Sequence, residues 1–179
     1  MDVFSQYPFV SVILVTRNEE HHIKSSLMSL INQTYPKECY EIIVVDGLST
    51  DKTMDVVKEV SERCKECNRE IRTFENPKRI LSSGWNIGIK EAKGDYVVRI
   101  DAHAEASPTF LEKSVETMFR VDAVCVGGKL TTKSLSSDKT VISKVLSSRF
   151  GVGGSSFRVS NTEGYADTAV YRIYQKEIF

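Results

Sequence analysis

The chain carries three short apolar runs that are rich in β-branched residues and separated by longer stretches of mixed polarity. They span residues 9–15, 40–45 and 95–100, and an aspartate follows the second and the third. Short runs of this kind are typical of strands buried on both faces of a sheet. We therefore predict three buried strands, with further short strands at residues 71–74 and 121–126.

The stretches that follow these strands repeat apolar residues with helical spacing. The repeated sets are Ile23/Leu27/Leu30/Ile31, Met54/Val57/Val60/Cys64/Cys67 and Leu111/Val115/Met118/Phe119. Spacings of three and four residues place each set on one face of a helix. Another helix is predicted over residues 80–93, ended by Gly94, and the last helix is expected to begin at Ser107-Pro108, a capping residue followed by proline.

Strands that alternate with helices predict an α/β fold. We expect a three-layer sandwich in which a mainly parallel, Rossmann-like sheet has helices on both faces. No linker or internal repeat divides the 179 residues, so one domain is expected, although the pattern weakens from about residue 127 into an amphipathic stretch at 141–146 and a glycine-rich GVGGSS segment. Open α/β sheets bind ligands beyond the carboxyl ends of their strands, which makes the residues there the first candidates.

Composition narrows the class of protein further. The 24 Lys and Arg residues balance the 24 Asp and Glu residues, so the charge footprint of a nucleic-acid-binding protein is missing. With 41% hydrophobic residues the chain can bury a core, and no apolar run reaches the roughly 20 residues of a membrane-spanning helix. The N-terminal MDVFSQYPFV lacks the features of a secretory signal, and the four cysteines suit a reducing compartment. We therefore expect a cytoplasmic protein.

Polar, acidic segments follow the three longest predicted strands. Their sequences are TRNEE at 16–20, DGLSTD at 46–51 and DAH at 101–103. The chain contains none of the glycine-rich patterns that bind dinucleotides or cradle phosphates, and no GxSxG elbow of a serine hydrolase. The sequence therefore lacks the signatures of these three reaction classes.

Asp101 and His103 stand two residues apart at the end of the third strand. In an extended chain, side chains two positions apart point to the same side, so the pair is expected to share one divalent ion such as Mn²⁺. A hard ion in such a site completes its coordination with phosphate oxygens and water. The competing interpretation is that Asp101 caps a turn and His103 is a solvated surface residue.

Three longer segments occur in order along the chain: VSVILVTRNEE at 10–20, EIIVVDGLSTDKT at 41–53 and SGWNIGIKEAKGDYVVRIDAHA at 83–104. Together they resemble the signature of family 2 glycosyltransferases with the GT-A fold. The likeness is greatest to the succinoglycan-biosynthesis type, in which Asp-Ala-His similarly replaces the usual Asp-x-Asp. The resemblance implies transfer of a sugar from a nucleotide-diphosphate sugar to a saccharide or lipid-linked saccharide acceptor, assisted by Mn²⁺ or Mg²⁺, in polysaccharide synthesis.

The resemblance also implies candidate site residues. It places four residues around the nucleotide: Thr16, Asn18, Glu19 and Asp46. Asp46 would bond the base, Arg79 would face the diphosphate, and Asp101 with His103 would form the metal and diphosphate motif. Where the family usually has a second aspartate, this chain has Gly47. Local structure offers alternatives, because Asn18 and Glu19 could open a helix and Asp46 could cap one.

The resemblance divides the chain into a nucleotide-sugar-binding half, residues 1–126, and the start of an acceptor-side half, residues 127–179. It implies inversion, which needs a carboxylate base to take the proton of the acceptor hydroxyl. In the family this aspartate lies past the segment that residues 171–179 resemble, so the base is expected beyond Phe179, as is any membrane association. Asp167 and Glu163 are the candidates within the sequence.

Two other functions stay open at this point. A sugar nucleotidyltransferase also uses an α/β sheet and metal-binding acids, although it would need a glycine- and arginine-rich loop where this chain has TRNEEHH. The second is a nucleotide-binding domain without catalytic activity.

Overall fold

The computed structural model describes residues 7–65, 70–131, 144–145, 148, 158, 162–166 and 170–179. Its elements follow in the order β1 (Val10–Thr16), α1 (Ile23–Ile31), β2 (Tyr40–Asp46), α2 (Thr53–Lys65), β3 (Ile71–Glu75), α3 (Leu81–Glu91), β4 (Tyr96–Asp101), α4 (Phe110–Arg120), β5 (Cys125–Gly128) and β6 (Val170–Gln175). Short 3₁₀ helices at Lys37–Cys39 and Lys176–Ile178 precede β2 and follow β6. No helix within the described ranges has the length and apolar character needed to cross a membrane.

The six described strands form one sheet in the order β3-β2-β1-β4-β6-β5. The first four are parallel to one another, whereas β6 runs antiparallel to both of its neighbours. The alternation of strands and helices therefore produces the α/β architecture that the sequence predicts. At the end of β1, Thr16 pairs with Asp46 of β2, which brings two of the candidate residues side by side.

Helices cover both faces of this sheet. The apolar sides of α1, α2 and α4 share one core with the sheet, which includes Leu27, Val57 and Leu111. On the other face α3 packs over Ile13, Ile43 and their neighbours. The predicted three-layer sandwich is therefore confirmed. The predicted face of α4 is wrong at one position, because Phe119 is 59% exposed.

Two glycines bring α3 unusually close to β1. A Cβ atom on Gly88 would lie 2.3 Å from Ile13 Cγ2, and one on Gly84 would lie 2.6 Å from Val15 Cγ1. Real Cβ atoms do not approach carbon atoms so closely, so both positions need glycine for packing. Trp85 of the same helix packs against the ring of Tyr174 at 6.4 Å between centroids.

The structure corrects two predicted boundaries around α4. The helix begins at Phe110, three residues after Ser107, whose carbonyl accepts the Phe110 N–H; no side chain caps the helix. The strand predicted from residue 121 begins only at Cys125, because the chain turns after α4 with Asp122 in the left-handed region at φ 50°.

The sequence pattern does not predict β6. This strand pairs with β4 from Tyr96↔Gln175 to Val98↔Ile173 and carries an irregularity where β5 passes from Gly127 to Gly128. The described C-terminal residues thus complete the same sheet, and the division at residue 126 stays a prediction. Cys67, Asp167, the GVGGSS segment and most of the 141–146 stretch lie outside the described residues.

Candidate active site

The loops after β1 and β2 are joined by hydrogen bonds at the carboxyl edge of the sheet. Asn18 donates its N–H to Ser49 Oγ at 2.9 Å, and its Oδ1 accepts the N–H of Thr50 at 2.8 Å. Its backbone lies in the left-handed region at φ 55°, which asparagine tolerates better than most residues. Asn18 therefore ties one loop to the other, and the helix it was alternatively expected to open begins later, at Ile23.

The next residues of the β1 loop lie against the start of α2. Glu19 donates its N–H to Thr53 Oγ1 at 2.7 Å, and Glu20 donates its N–H to Asp51 Oδ2 at 3.1 Å. The Thr53 hydroxyl in turn donates to Asp51 Oδ1 at 2.5 Å. Desolvation raises the pKa of Asp51, but the bonds from Thr53 and Glu20 outweigh it and lower the pKa overall. The Asp51 carboxylate is therefore the acceptor that fixes this junction.

Asp46 is buried and holds the loop that follows it. Its Oδ2 accepts the N–H of Ser49 at 3.0 Å, and its Oδ1 accepts the Ser49 hydroxyl at 2.5 Å. Because Ser49 Oγ also accepts the Asn18 N–H, these side chains form one connected series from β2 to the β1 loop. The expected alternative, a cap on α2, is not seen, since Asp51 accepts the Thr53 N–H at the start of that helix.

The loop after β3 reaches the same edge and carries Arg79. Asn76, which is buried, donates its N–H to the Asp46 carbonyl at 2.7 Å and its amide to the Ile80 carbonyl at 2.8 Å. Between these anchors Arg79 takes φ 56° and its side chain is exposed. The anchoring places this exposed cation on a loop fixed directly to the backbone of Asp46.

Asp101 ends β4 and pairs with a cation of its own strand. Its Oδ1 accepts bonds from Arg99 Nε at 3.3 Å and Nη2 at 3.1 Å. Both residues line a cleft of about 220 Å³ together with residues of β6, namely Val170, Tyr171, Arg172 and Tyr174. Burial, followed by the nearby Asp101 carboxylate, raises the pKa of Tyr171, so its phenol stays protonated at neutral pH.

His103 contacts the β1 loop. The chain turns directly after β4, where the Ala104 N–H bonds to the Asp101 carbonyl at 2.9 Å, so the extended arrangement assumed for Asp101 and His103 is wrong. The His103 imidazole instead lies with Nδ1 3.2 Å from Glu19 Oε1. The contact brings the loop after β4 to the joined loops of β1 and β2.

The donor atoms of this turn suit a divalent ion. Asp101 Oδ1 and His103 Nδ1 have partners, whereas no residue in the described ranges bonds Asp101 Oδ2 or His103 Nε2. A carboxylate oxygen and an imidazole nitrogen are ligands that Mn²⁺ accepts. No group of three or more His, Cys, Asp and Glu that could hold a metal occurs among the described residues, so other ligands would have to come from phosphate and water.

Three other predicted positions have side chains that take no part in this cluster of contacts. Thr16 is 3% exposed and its hydroxyl has no partner in the described part of the chain, so its side chain is the least accessible of the nucleotide candidates. Glu163 pairs with Arg120 at 2.6 Å, at the end of α4 remote from the β4 turn, and Asp167 lies outside the described residues. The structure gives no reason to assign the base to Glu163.

Several residues of the site escaped the sequence analysis. Arg99 stands two positions before Asp101, and strand alternation alone would have put both on one face. The position of Ser49 between Asp46 and Asn18 has no signal in the sequence. Tyr171 reaches the cleft with φ 49° beside the irregularity in β6, which no local pattern indicates.

Comparison with known proteins identifies the family. Residues 11–179 match the family model of glycosyl transferase family 2. The chain therefore belongs to glycosyltransferase family 2, which confirms the resemblance carried by its three segments.

Individual relatives support the same assignment. The chain is 38% identical over 175 residues to a dolichyl N-acetyl-alpha-D-glucosaminyl phosphate 3-beta-D-2,3-diacetamido-2,3-dideoxy-beta-D-glucuronosyltransferase of Methanococcus voltae, covering 95% of this chain and 54% of the relative. It is 27% identical over 170 residues to the succinoglycan biosynthesis protein ExoA of Rhizobium meliloti, covering 94% and 50%. The expected likeness to the succinoglycan type is thus found, but the identity to ExoA is lower than the identity to the Methanococcus voltae enzyme.

A solved structure shares the fold. The mannosyltransferase PcManGT from Pyrobaculum calidifontis, in complex with GDP-Man and Mn²⁺, superposes with a TM-score of 0.64 at 28% identity, covering 70% of this chain and 36% of that one. This agrees with the GT-A fold that the sequence predicts. The chain spans about half the length of the curated relatives described above.

Proposed function

We propose that this chain binds the nucleotide-sugar donor of a glycosyltransferase that builds a glycan on a saccharide or lipid-linked saccharide. The observation that carries the proposal is the meeting of the three strand-end loops, in which Asn18 bonds Thr50 and Glu19 contacts His103. The relatives support the substrate classes, since one is named for a dolichyl-linked sugar phosphate and a similar structure holds GDP-Man.

Different residues at this edge would bind different parts of the donor. Asn18, Glu19 and Asp46 face the nucleoside, and the exposed guanidinium of Arg79 faces the diphosphate. Negative charge develops on the diphosphate as the bond to the sugar breaks, so a cation near it lowers the barrier. Arg79 is suited to this task because its loop is anchored to the Asp46 backbone through Asn76.

Asp101 Oδ2 and His103 Nε2 would hold a divalent ion. When bound, the ion supplies positive charge to the diphosphate leaving group. Imidazole is a poorer ligand for Mg²⁺ than for Mn²⁺, so we propose Mn²⁺ as the preferred ion. The Mn²⁺ in the PcManGT complex is consistent with this choice.

We also propose that the transfer inverts the sugar's anomeric configuration and that the chain has a donor half and an acceptor half. An inverting base must lie opposite the leaving group, and we assign it to no described residue, with Asp167 kept as a candidate for an acceptor-side role. Residues 1–126 would bind the donor, and residues 127–179 would begin the acceptor side. A cytoplasmic setting fits Cys39 and Cys125, which are thiols in the structure.

Calorimetry with UDP and GDP, each with Mn²⁺ or with a chelator, tests the donor site. We expect Mn²⁺-dependent binding of at least one, and a loss of at least about tenfold in Asp101→Asn, which corresponds to about 1.4 kcal/mol. Asp95→Asn is the matched control, because Asp95 is an exposed aspartate just before the opposite end of β4. Absence of binding to either nucleotide would contradict the donor site, and binding that ignores the chelator would contradict the metal.

Product analysis separates this function from its alternatives. Because the proposed base is assigned to no described residue, this test uses a chain of its relatives' length. With nucleotide sugars and Mn²⁺ that longer chain should release nucleoside diphosphate. A nucleotidyltransferase would instead form or consume pyrophosphate, and a binding domain would do neither.

A further inference from the structure

The contact between Glu19 and His103 restricts which ring nitrogen carries the proton. An ionised carboxylate only accepts hydrogen bonds, so the 3.2 Å contact from Glu19 Oε1 to His103 Nδ1 is a hydrogen bond when Nδ1 carries a proton. In a neutral imidazole the other nitrogen, Nε2, then carries the lone pair. The nitrogen left without a proton is therefore the one able to bind a metal ion.

Hydrogen bonds hold the main chain of Glu19, and its carboxylate is the less exposed partner of the contact with His103. The Glu19 N–H bonds Thr53 Oγ1 at 2.7 Å, and its carbonyl accepts the N–H groups of His22 and Ile23 at 2.9 Å each. The Glu19 side chain is 25% exposed, whereas that of His103 is 57% exposed. Of the two side chains, the carboxylate is thus the better shielded, and it stands on a main chain that is held on both sides.

We propose that Glu19 is a positioning residue, whose carboxylate holds His103 as the Nδ1–H tautomer and thereby presents Nε2 to the metal. This rests on the proposed function, in which His103 is a metal ligand, and it moves Glu19 from the nucleotide to the imidazole. Carboxylates that receive the second ring N–H of a ligand histidine fix its tautomer and raise its basicity. Glu19 has the position and the charge for that role.

Nitrogen NMR of the metal-free chain tests the tautomer directly. In alkaline buffer, where free imidazole is neutral, ring ¹⁵N spectra should show His103 with a protonated Nδ1 and an unprotonated Nε2. The His103→Asn spectrum assigns its signals among those of His21 and His22. In Glu19→Ala the preference for Nδ1–H should be lost, because the acceptor is gone while the backbone bond to Thr53 stays available.

The affinity for Mn²⁺ alone, measured by electron paramagnetic resonance, tests the consequence. Removing a residue that supports a metal ligand costs about 10- to 100-fold in metal affinity, and we expect a loss of that size in Glu19→Ala. Glu20→Ala is the control, since the Glu20 carboxylate accepts the Lys52 N–H and its described contacts do not include His103. If Glu19→Ala melts at a lower temperature than the parent, Glu19→Gln replaces it, because a neutral amide oxygen accepts more weakly.

Each result bears on one of the two ideas. An Nε2–H tautomer in the parent chain, or unchanged Mn²⁺ affinity in Glu19→Ala when His103→Ala weakens it, would overturn the positioning role alone. Unchanged Mn²⁺ affinity in His103→Ala would refute the metal role of His103 in the proposed function, and the positioning role of Glu19 with it.

Discussion

Replacing Glu41 by glutamine should lower the free energy of unfolding by about 3 kcal/mol. Glu41 is 9% exposed; its Oε1 accepts the Ser11 hydroxyl and the Lys93 N–H at 2.7 Å each, and its Oε2 accepts Arg72 Nη1 at 2.9 Å. A glutamine presents only one oxygen, so its NH₂ group must face a donor. Breaking a buried ion pair costs about 3–5 kcal/mol, and the lower end applies because Arg72 keeps its bond to the Glu91 carbonyl.

The Glu41 carboxyl also makes the free energy of unfolding depend on pH. Burial raises the pKa of Glu41, but the hydrogen bonds from Lys93, Ser11 and Arg72 outweigh it and lower the pKa below its ordinary value. A lowered folded-state pKa gives stability that is complete above the unfolded-state value of about 4.3 and is lost as the pH falls through the folded-state value. The difference in free energy of unfolding between the parent and Glu41→Gln should therefore become smaller below about pH 4.

Urea denaturation at neutral and acidic pH measures both effects. Glu91→Gln is the matched control, because the Glu91 side chain is 35% exposed and lies 3.6 Å from the same Arg72, and such a pair is worth less than about 1 kcal/mol. Nucleotide affinity should not change in Glu41→Gln, since Glu41 lies at the start of β2, away from the strand-end loops. A neutral-pH loss no larger than that of the control, or one that persists unchanged in acid, would refute the reasoning.

Three further substitutions test the packing and the joined loops. Gly88→Ala should cost about 1–3 kcal/mol by thermal denaturation, because its Cβ would meet Ile13 Cγ2; an unchanged melting temperature would show that α3 shifts without strain. In urea denaturation the free energy of unfolding of Asn18→Ala should be about 1 kcal/mol lower than that of Asn18→Gly. Both variants lose the bond to Thr50, but only alanine is strained in the left-handed region, and equal free energies of unfolding would contradict this. Asp46→Ala should lower nucleoside-diphosphate affinity and speed amide hydrogen exchange in the following loop, and unaltered exchange would show that Asp46 does not hold that loop.

The sequence predicted that the strand-end segments would meet, because that meeting follows from topology. Parallel strands joined by helices bring every strand-to-helix loop to one edge of the sheet, so the segments after β1, β2 and β4 had to meet there. Asp46 and Thr16 even occupy paired positions in the register. Topology therefore places the candidate residues at one edge, whereas the roles assigned to them come from the family resemblance and stay predictions.

What the sequence did not predict depends on contacts between distant residues. The side-chain arrangement at Asp101 and His103 was wrong because strand alternation applies only within the strand, and β4 ends at Asp101. The antiparallel β6 was missed because its pairing with β4 joins residues that are far apart in sequence and share no local pattern. A hydrogen bond such as that between Glu19 and His103 is likewise invisible to any rule of spacing.

The strand-end loops differ in how they are connected to one another in the described structure, and this bears on how a donor would bind. The β1 and β2 loops are joined at several points, including Asn18 to Ser49 and Glu19 to Thr53, before any ligand arrives. The turn after β4 contacts them through His103, and the residues that follow it bond α1, where the Ala106 N–H meets Ser29 Oγ. Because preformed contacts reduce the ordering cost of binding, the proposed nucleoside side would bind its ligand with little rearrangement. In the proposed metal site the orientation of His103 would depend on the Glu19 carboxylate, which would make Glu19 the residue that couples the two parts of the site.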